Sequence, residues 1–524
     1  MNQIRSEHGG AEAAQLISNE SVSTPGIPGS SGESERYIDV MVVGAGLSGI
    51  AAGYYLQAHC LGKSYAILEA RNVIGGTWDL FRYPGVRSDS DMYTLGYSFR
   101  PWGSEKSITD SASILQYIRD TADAFGIGQK IRYGHRVTRA SWNTATGQWT
   151  VEAEVGPEKT VVHYTCRFLY ICSGYYDYEE GYMPGWPGMD RFGGRIVHPQ
   201  RWPEDLDYEG RRVVVIGSGA TAVTLVPAMA RTAAHVTMLQ RSPTYIVAIP
   251  ARDAVARWLH QWLPAAIAHR LARWKNVALT MYFYNLARFR PDLMKRMILS
   301  QVKAQLGPGY DVGKHFAPTY NPWDQRLCLV PDADFFKAIR TGKASVVTDR
   351  IATFTEAGIE LDSGEQLDAD LIVTATGLNL KLMGGMEIVV DGILVHTSKP
   401  LIYRGMMFSD VPNLAFALGY TNASWTLKCE LTSAFVCRLL NYIDAHGYAW
   451  CVPRRRDTSL VEAPAVSLTS GYIMRAARIL PKQGSKRPWR LYQNYALDMA
   501  MLKFGALHDG TMEFGRLDSA RRAA

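Results

Sequence analysis

Two glycine-rich turns, each caught between an apolar strand and a helix, constrain this chain more than anything else in it. The first, GAGLSG at 44–49, follows the apolar run YIDVMVV at 37–43. The second, GSGATA at 217–222, follows RRVVVI at 211–216. In the first turn Gly44 permits the tight bend, Gly46 lets backbone approach a pyrophosphate, and Gly49 lets helix and strand pack closely. The helix that follows, IAAGYYLQ, presents free N–H groups and a positive dipole end to that pyrophosphate. The next strand, SYAILEA, ends in Glu69, 20 residues after Gly49. A carboxylate there accepts both ribose hydroxyls and repels a 2′-phosphate, so this site takes FAD or NAD.

The second turn runs Gly217, Ser218, Gly219, Ala220, Thr221, Ala222, with alanine in the third glycine's place. Its second strand, HVTMLQRS, ends in Arg241 and Ser242 where the first site has an acid. A guanidinium and a hydroxyl suit a 2′-phosphate, so this site reads as selective for NADPH. Two dinucleotide sites in one chain define a hydride relay. The seven cysteines, at 60, 166, 172, 328, 429, 437 and 451, contain no CxxC or CxxxxC pair. The electrons therefore leave by a route other than a redox disulfide.

With 524 residues the chain has room for two or three domains, and 47% hydrophobic against 20% charged residues fits a soluble globular protein. An odd number of scattered cysteines reads as reduced thiols in a cytoplasmic protein. Residues 1–36 read as a disordered tail rather than a signal peptide, because they lack an apolar core. No run of 18 apolar residues exists to span a membrane. The net charge of +7 is concentrated at 252–296, where nine Lys/Arg face two Asp. Aromatic and aliphatic residues are interleaved with that charge. Two readings remain open at this stage: a helical layer over the active site or a partner subunit, or peripheral contact with an anionic membrane. No nucleic-acid reader motif accompanies the charge, and no metal site is expected.

Residues 75–89, GGTWDLFRYPGVRSD, carry the spacing GxWxxxxYPGxxxD, and Phe192, Gly194, His198, Trp202 and Pro203 carry FxGxxxHxxxWP. On these two patterns the chain resembles type I Baeyer–Villiger flavin monooxygenases. Stretches such as HPQRWPEDLDY, QRSPTYIV, YNPWDQRLCLVP and GYTNASWTLK resemble the ethionamide-activating subgroup, so the likeness covers nearly all of 38–500. It implies an α/β fold with two Rossmann-like dinucleotide-binding domains, a discontinuous FAD domain interrupted by an NADPH domain, plus a helical insertion. The implied boundaries are a tail at 1–36, FAD domain at 37–180 and 371–524, and a linker at 181–210. The NADPH domain takes 211–251 and 321–370, with the helical insertion at 252–320.

The resemblance further implies that Thr77, Trp78, Asp79 and Asp89 lie along the flavin, that Ser48 meets the pyrophosphate, and that the Val137 backbone holds the adenine. Arg87 and Ser88 would face the nicotinamide half of NADPH. The family's active-site arginine falls on Arg326, with Asp89 as its partner; a lysine common in the family at the preceding position is here Gln325. His198 and Trp202 would sit on the linker as a hinge, and 422–428 would start a helix aimed at the flavin. The implied reaction converts a small to medium ketone and dioxygen to an ester or lactone through a C4a-peroxyflavin, with sulfoxidation of thioethers and thioamides beside it. An N/S-heteroatom monooxygenase, or a membrane-surface reductase or oxidase, is the alternative. Oligomeric state stays open.

Overall fold

The computed structural model describes residues 37–517, so the expectation for the 1–36 tail lies outside the described residues. Strand Tyr37–Val43 buries its side chains on both faces from Val40 onward, as a β-branched run in a parallel sheet must. It pairs in parallel with Tyr65–Leu68, which pairs with Ile131–Arg132. On its other side the sheet continues through Thr160–Ile171, Gln148–Val155 and His135–Asn143 to Glu387–Val390 and Ile393–Leu394. Leu414–Phe416 adds in parallel to the end of Thr160–Ile171. Helix α1 (Leu47–His59) covers one face; its small residues Gly49, Ala51, Ala52 and Gly53 are all buried. Added carbon at Gly49 would stand 1.9 Å from the Gly44 carbonyl oxygen, so glycine is required there by packing.

The second sheet is wholly parallel, in the order Ala344–Thr348, His235–Gln240, Arg212–Ile216, Leu371–Thr374, Arg195–Val197. Helix α2 (Ala220–Met229) packs on it. Two boundaries differ from expectation. Leu371–Thr374, expected to begin the return to the first domain, is paired with Arg212–Ile216 inside the second sheet. Arg195–Val197, expected as linker, is that sheet's edge. An unbroken apolar run marks a buried strand but carries no information about which sheet it joins. The chain crosses between the sheets on two short antiparallel strands, Tyr176–Gly181 and Leu378–Leu380.

Helices fill the segment after Ile249: α3 (Ala254–Trp262), α4 (Ala265–Phe289) and α5 (Pro291–Leu306). The chain then returns to the first sheet, where α6 (Trp425–Ala445) packs on α1 and α7 (Tyr495–Phe504) packs on α6. All seven cysteines are buried and unpaired. Among the described residues no helix is long and apolar enough to cross a membrane.

Candidate functional site

A cavity of about 620 Å³ runs between the two sheets, and most of the residues singled out by the first glycine turn open onto it. Gly44 has φ +102° and faces the Cys172 carbonyl so closely that a side chain there would stand 2.7 Å from it. At Gly46 a side-chain carbon would have no neighbour nearer than 3.7 Å, which leaves the space above the helix N-terminus open. No side chain caps that N-terminus. These are the requirements of a pyrophosphate cradle.

Glu69 closes the far end. Its carboxylate accepts the Ala45 N–H at 2.7 Å and the Arg71 N–H at 2.9 Å, and burial pushes its pKa up against those bonds. Ser48, Thr77, Trp78 and Val137 all line the cavity. Ser48 Oγ accepts from Trp425 Nε1 at 2.9 Å, and Thr77 Oγ1 lies 3.2 Å from the Tyr178 hydroxyl. Ser173 Oγ is buried on the same wall with no hydrogen-bond partner among the described residues. An orphaned hydroxyl beside an open anion cradle fits a bound dinucleotide.

Asp79 is not among the residues that line the cavity. Its buried carboxylate turns away from the cavity to Arg71 at 2.6 Å, Arg82 at 3.6 Å and Arg119 at 3.8 Å. Asp79 lies two residues beyond Thr77 on a short helical turn, and residues so spaced face opposite sides.

The second turn is shallower. Gly217, with φ +130°, abuts the Ala375 carbonyl, and Gly219 looks into open space at the uncapped start of α2. Ser218 Oγ bonds Thr244 Oγ1 at 2.7 Å, and buried Ala222 packs in the core. Of this turn only Ala220 and Thr221 line the central cavity. Arg241 and Ser242 are exposed at the end of His235–Gln240. Among the described residues Arg241 makes no ion pair, so its charge is available to a ligand.

Arg87 and Ser88 reach the cavity but are already engaged. The Arg87 guanidinium forms a two-pronged ion pair with Asp334, and Ser88 Oγ donates to the Ser90 carbonyl at 2.7 Å.

Arg326 stands where this cavity meets a second, mostly apolar one lined by Phe416, Leu418, Leu468, Ile473 and Leu491. Its Nη2 is 3.2 Å from Asp89 Oδ2. The Asp89 charge, reinforced by nearby Tyr175, Tyr472 and Tyr176, holds the guanidinium pKa well above its ordinary value. Burial pushes the Tyr176 hydroxyl up to about 12, so it remains protonated. The apolar cavity ends in a polar cluster in which Lys428 Nζ lies 2.7 Å and the Tyr420 hydroxyl 2.8 Å from one oxygen of Asp498. Tyr175, Tyr472, Ser173 and this cluster were not visible in the sequence, because tyrosine and serine are common and no motif marks them. The start of α6 could be seen in NASWTLK, and Trp425 there lines both cavities.

His198 bridges the crossing strands. Its Nε2 lies 3.3 Å from the Gly377 carbonyl, while its Nδ1 accepts the Gln200 N–H at 3.2 Å. Burial lowers its pKa from the ordinary imidazole value. A side chain on Gly181 would stand 2.0 Å from that ring. Trp202 packs against the core of the second sheet.

The profile of the FMO-like family, flavin-binding monooxygenase-like, matches residues 38–256. The FAD-containing monooxygenase EthA of Mycobacterium tuberculosis (strain ATCC 25618 / H37Rv) is 53% identical over 482 residues, covering 92% of this chain and 98% of that protein. A solved structure of oxidized steroid monooxygenase bound to NADP superposes with a TM-score of 0.73 at 24% identity, covering 92% of this chain and all of that one. Cyclohexanone monooxygenase from Rhodococcus sp. Phi1 bound to NADP+ gives 0.71 at 20% identity, over 92% and 99%. At these identities the two structures are likenesses of fold.

Proposed function

Because this chain belongs to the flavin-binding, FAD-containing monooxygenases, we propose that it is an NADPH-dependent Baeyer–Villiger monooxygenase. It takes a ketone, dioxygen, NADPH and a proton to an ester or lactone, water and NADP+. FAD belongs in the first cradle, on Gly44, Gly46, Ser48, Glu69, Thr77, Trp78 and Val137. NADPH belongs on 217–222, with Arg241 and Ser242 at its 2′-phosphate. When bound, the flavin takes hydride from NADPH and passes the electrons to dioxygen.

The observation that carries this reading is Arg326, a fixed cation at the junction of the cofactor cavity and the apolar one. Oxygen insertion beside a carbonyl builds negative charge on oxygen, first on the attacking atom and then on the carbonyl oxygen. A guanidinium that cannot lose its proton stabilises both without taking part in proton transfer. Asp89 orients it and, by sharing one oxygen with it, leaves N–H groups free to turn toward substrate. The walls of Phe416, Leu418 and Ile473 exclude water and favour an apolar ketone. The same walls accept thioethers and thioamides, whose sulfur needs no carbonyl.

Incubation of the FAD-loaded enzyme with NADPH, air and a cyclic ketone tests the proposal. A lactone is the expected product. Sulfoxide formation from a thioether without any lactone would assign the enzyme to heteroatom oxygenation instead, and peroxide as the sole product would make it an oxidase.

A further inference from the structure

Helix α4 is amphipathic in the wrong sense for a helix that merely covers a core. Its inward face is made of small and polar residues: Ala268, Ala272 and Val277 with His269 and Arg273, all buried. Arg273 donates to the carbonyls of Tyr93 at 2.8 Å and Gly96 at 2.7 Å and meets Glu430 at 2.6 Å. Asn276 donates to Asp91 at 2.9 Å, and Lys275 pairs with Asp253. The helix is tied down by polar tethers, Met281 and Leu286 pack inward with Val277, and most of its other large apolar residues point outward. Ile267, Leu271, Trp274, Tyr282 and Phe289 recur at helical spacing along 25 residues, and all are exposed, Phe289 at 79%. On α3, Val255, Trp258 and Trp262 repeat the pattern, Trp262 at 73%. Single exposed apolar residues mean nothing, but aligned stripes on adjoining helices mark a surface that is covered in use.

The charge on these helices says by what. Arg257 on α3, Arg270 on α4, Arg290 at the junction of α4 and α5, and Arg296 on the adjoining α5 are exposed, and among the described residues none of the four makes an ion pair. We propose that α3 and α4 dock this protein on an anionic lipid bilayer, with the Trp, Tyr and Phe side chains in the headgroup region and the free arginines on lipid phosphates. A second copy fits less well, because a twofold contact through this face would set the same four cations against each other. The position has a consequence that rests on the proposed function. Val277 on α4 shares a buried cluster with Tyr420 and Leu427, and Tyr420 lines the apolar cavity, so the docked face would lie next to the proposed substrate site.

The test is sedimentation of the full chain with phosphatidylcholine vesicles, with and without phosphatidylglycerol, at low and high salt. Wild type is expected to pellet with the phosphatidylglycerol vesicles at low salt and to be released by salt. The fourfold variant Arg257→Gln/Arg270→Gln/Arg290→Gln/Arg296→Gln should partition roughly a thousandfold more weakly. Trp258→Ser/Trp262→Ser should also be released, with its melting temperature unchanged as the control for folding. Three results would overturn the proposal: wild type left in the supernatant with anionic vesicles at low salt; tryptophan variants that bind as tightly as wild type; or a lipid-free dimer that those variants convert to monomer, which would give the face to a second copy.

Discussion

At the scale of single residues, the assignment turns on a cation with one carboxylate partner. Arg326→Ala should leave NADPH oxidation intact and cut ester formation by roughly 10²–10³-fold, the usual effect of removing one charge-stabilising donor. The check is NADPH consumed against product formed. Coupled product formation by the variant would remove Arg326 from the chemistry. Arg241 is argued separately, because it lies outside the central cavity and is unpaired. Arg241→Ala should raise the KM for NADPH about 10–100-fold and leave that for NADH unchanged; equal effects on both would mean the guanidinium does not meet a 2′-phosphate. Residue identity was legible in the sequence wherever a motif fixed backbone geometry, as at Gly44, Gly49 and Gly217. Orientation was not. Asp79 shares its motif with Trp78, yet helical geometry turns it to three arginines, and Arg87 has a partner in Asp334 that lies 247 residues away.

At the scale of elements, strands following glycine turns could be read directly, since an apolar β-branched run ending in glycine has few other uses. The partners of Leu371–Thr374 and Arg195–Val197 could not, because pairing is decided by the whole sheet. Helix α4 adds a pH dependence. His269 is buried there, neither ring nitrogen has a partner, and burial with the nearby Arg273 charge lowers its pKa from 6.5 to about 4. At pH 7 the folded and unfolded chains both hold it neutral. Below pH 6.5 the unfolded chain takes up a proton that the folded one refuses until about pH 4. Stability is therefore present above pH 6.5 and is lost as pH falls through that window, by up to about 3 kcal/mol. His269→Phe should flatten the dependence of melting temperature on pH between 6.5 and 4. An unchanged slope would show that other groups dominate the acid response.

At the scale of the whole molecule, the chain leaves the first sheet on Tyr176–Gly181 and returns on Leu378–Leu380, and the His198 ring packs against Gly181 and the Gly377 carbonyl at their ends. The fingerprint around His198 thus sits where the two dinucleotide units are joined, the region in which the resemblance had placed it. Movement of the second sheet relative to the first would bend these paired strands, and the His198 ring, seated against Gly181 and the Gly377 carbonyl, would have to move with them. If hydride delivery requires that movement, this contact should govern its rate. Gly181→Ala drives a methyl into the ring. It should slow the bleaching of bound flavin by NADPH, read by stopped flow, about tenfold or more, while FAD affinity holds. His198→Ala removes the ring that the methyl would strike. The double variant should therefore bleach no more slowly than His198→Ala alone, a non-additivity expected only of groups in contact. Additive losses would mean that Gly181 and His198 act on hydride transfer independently, and the hinge would have to be sought elsewhere.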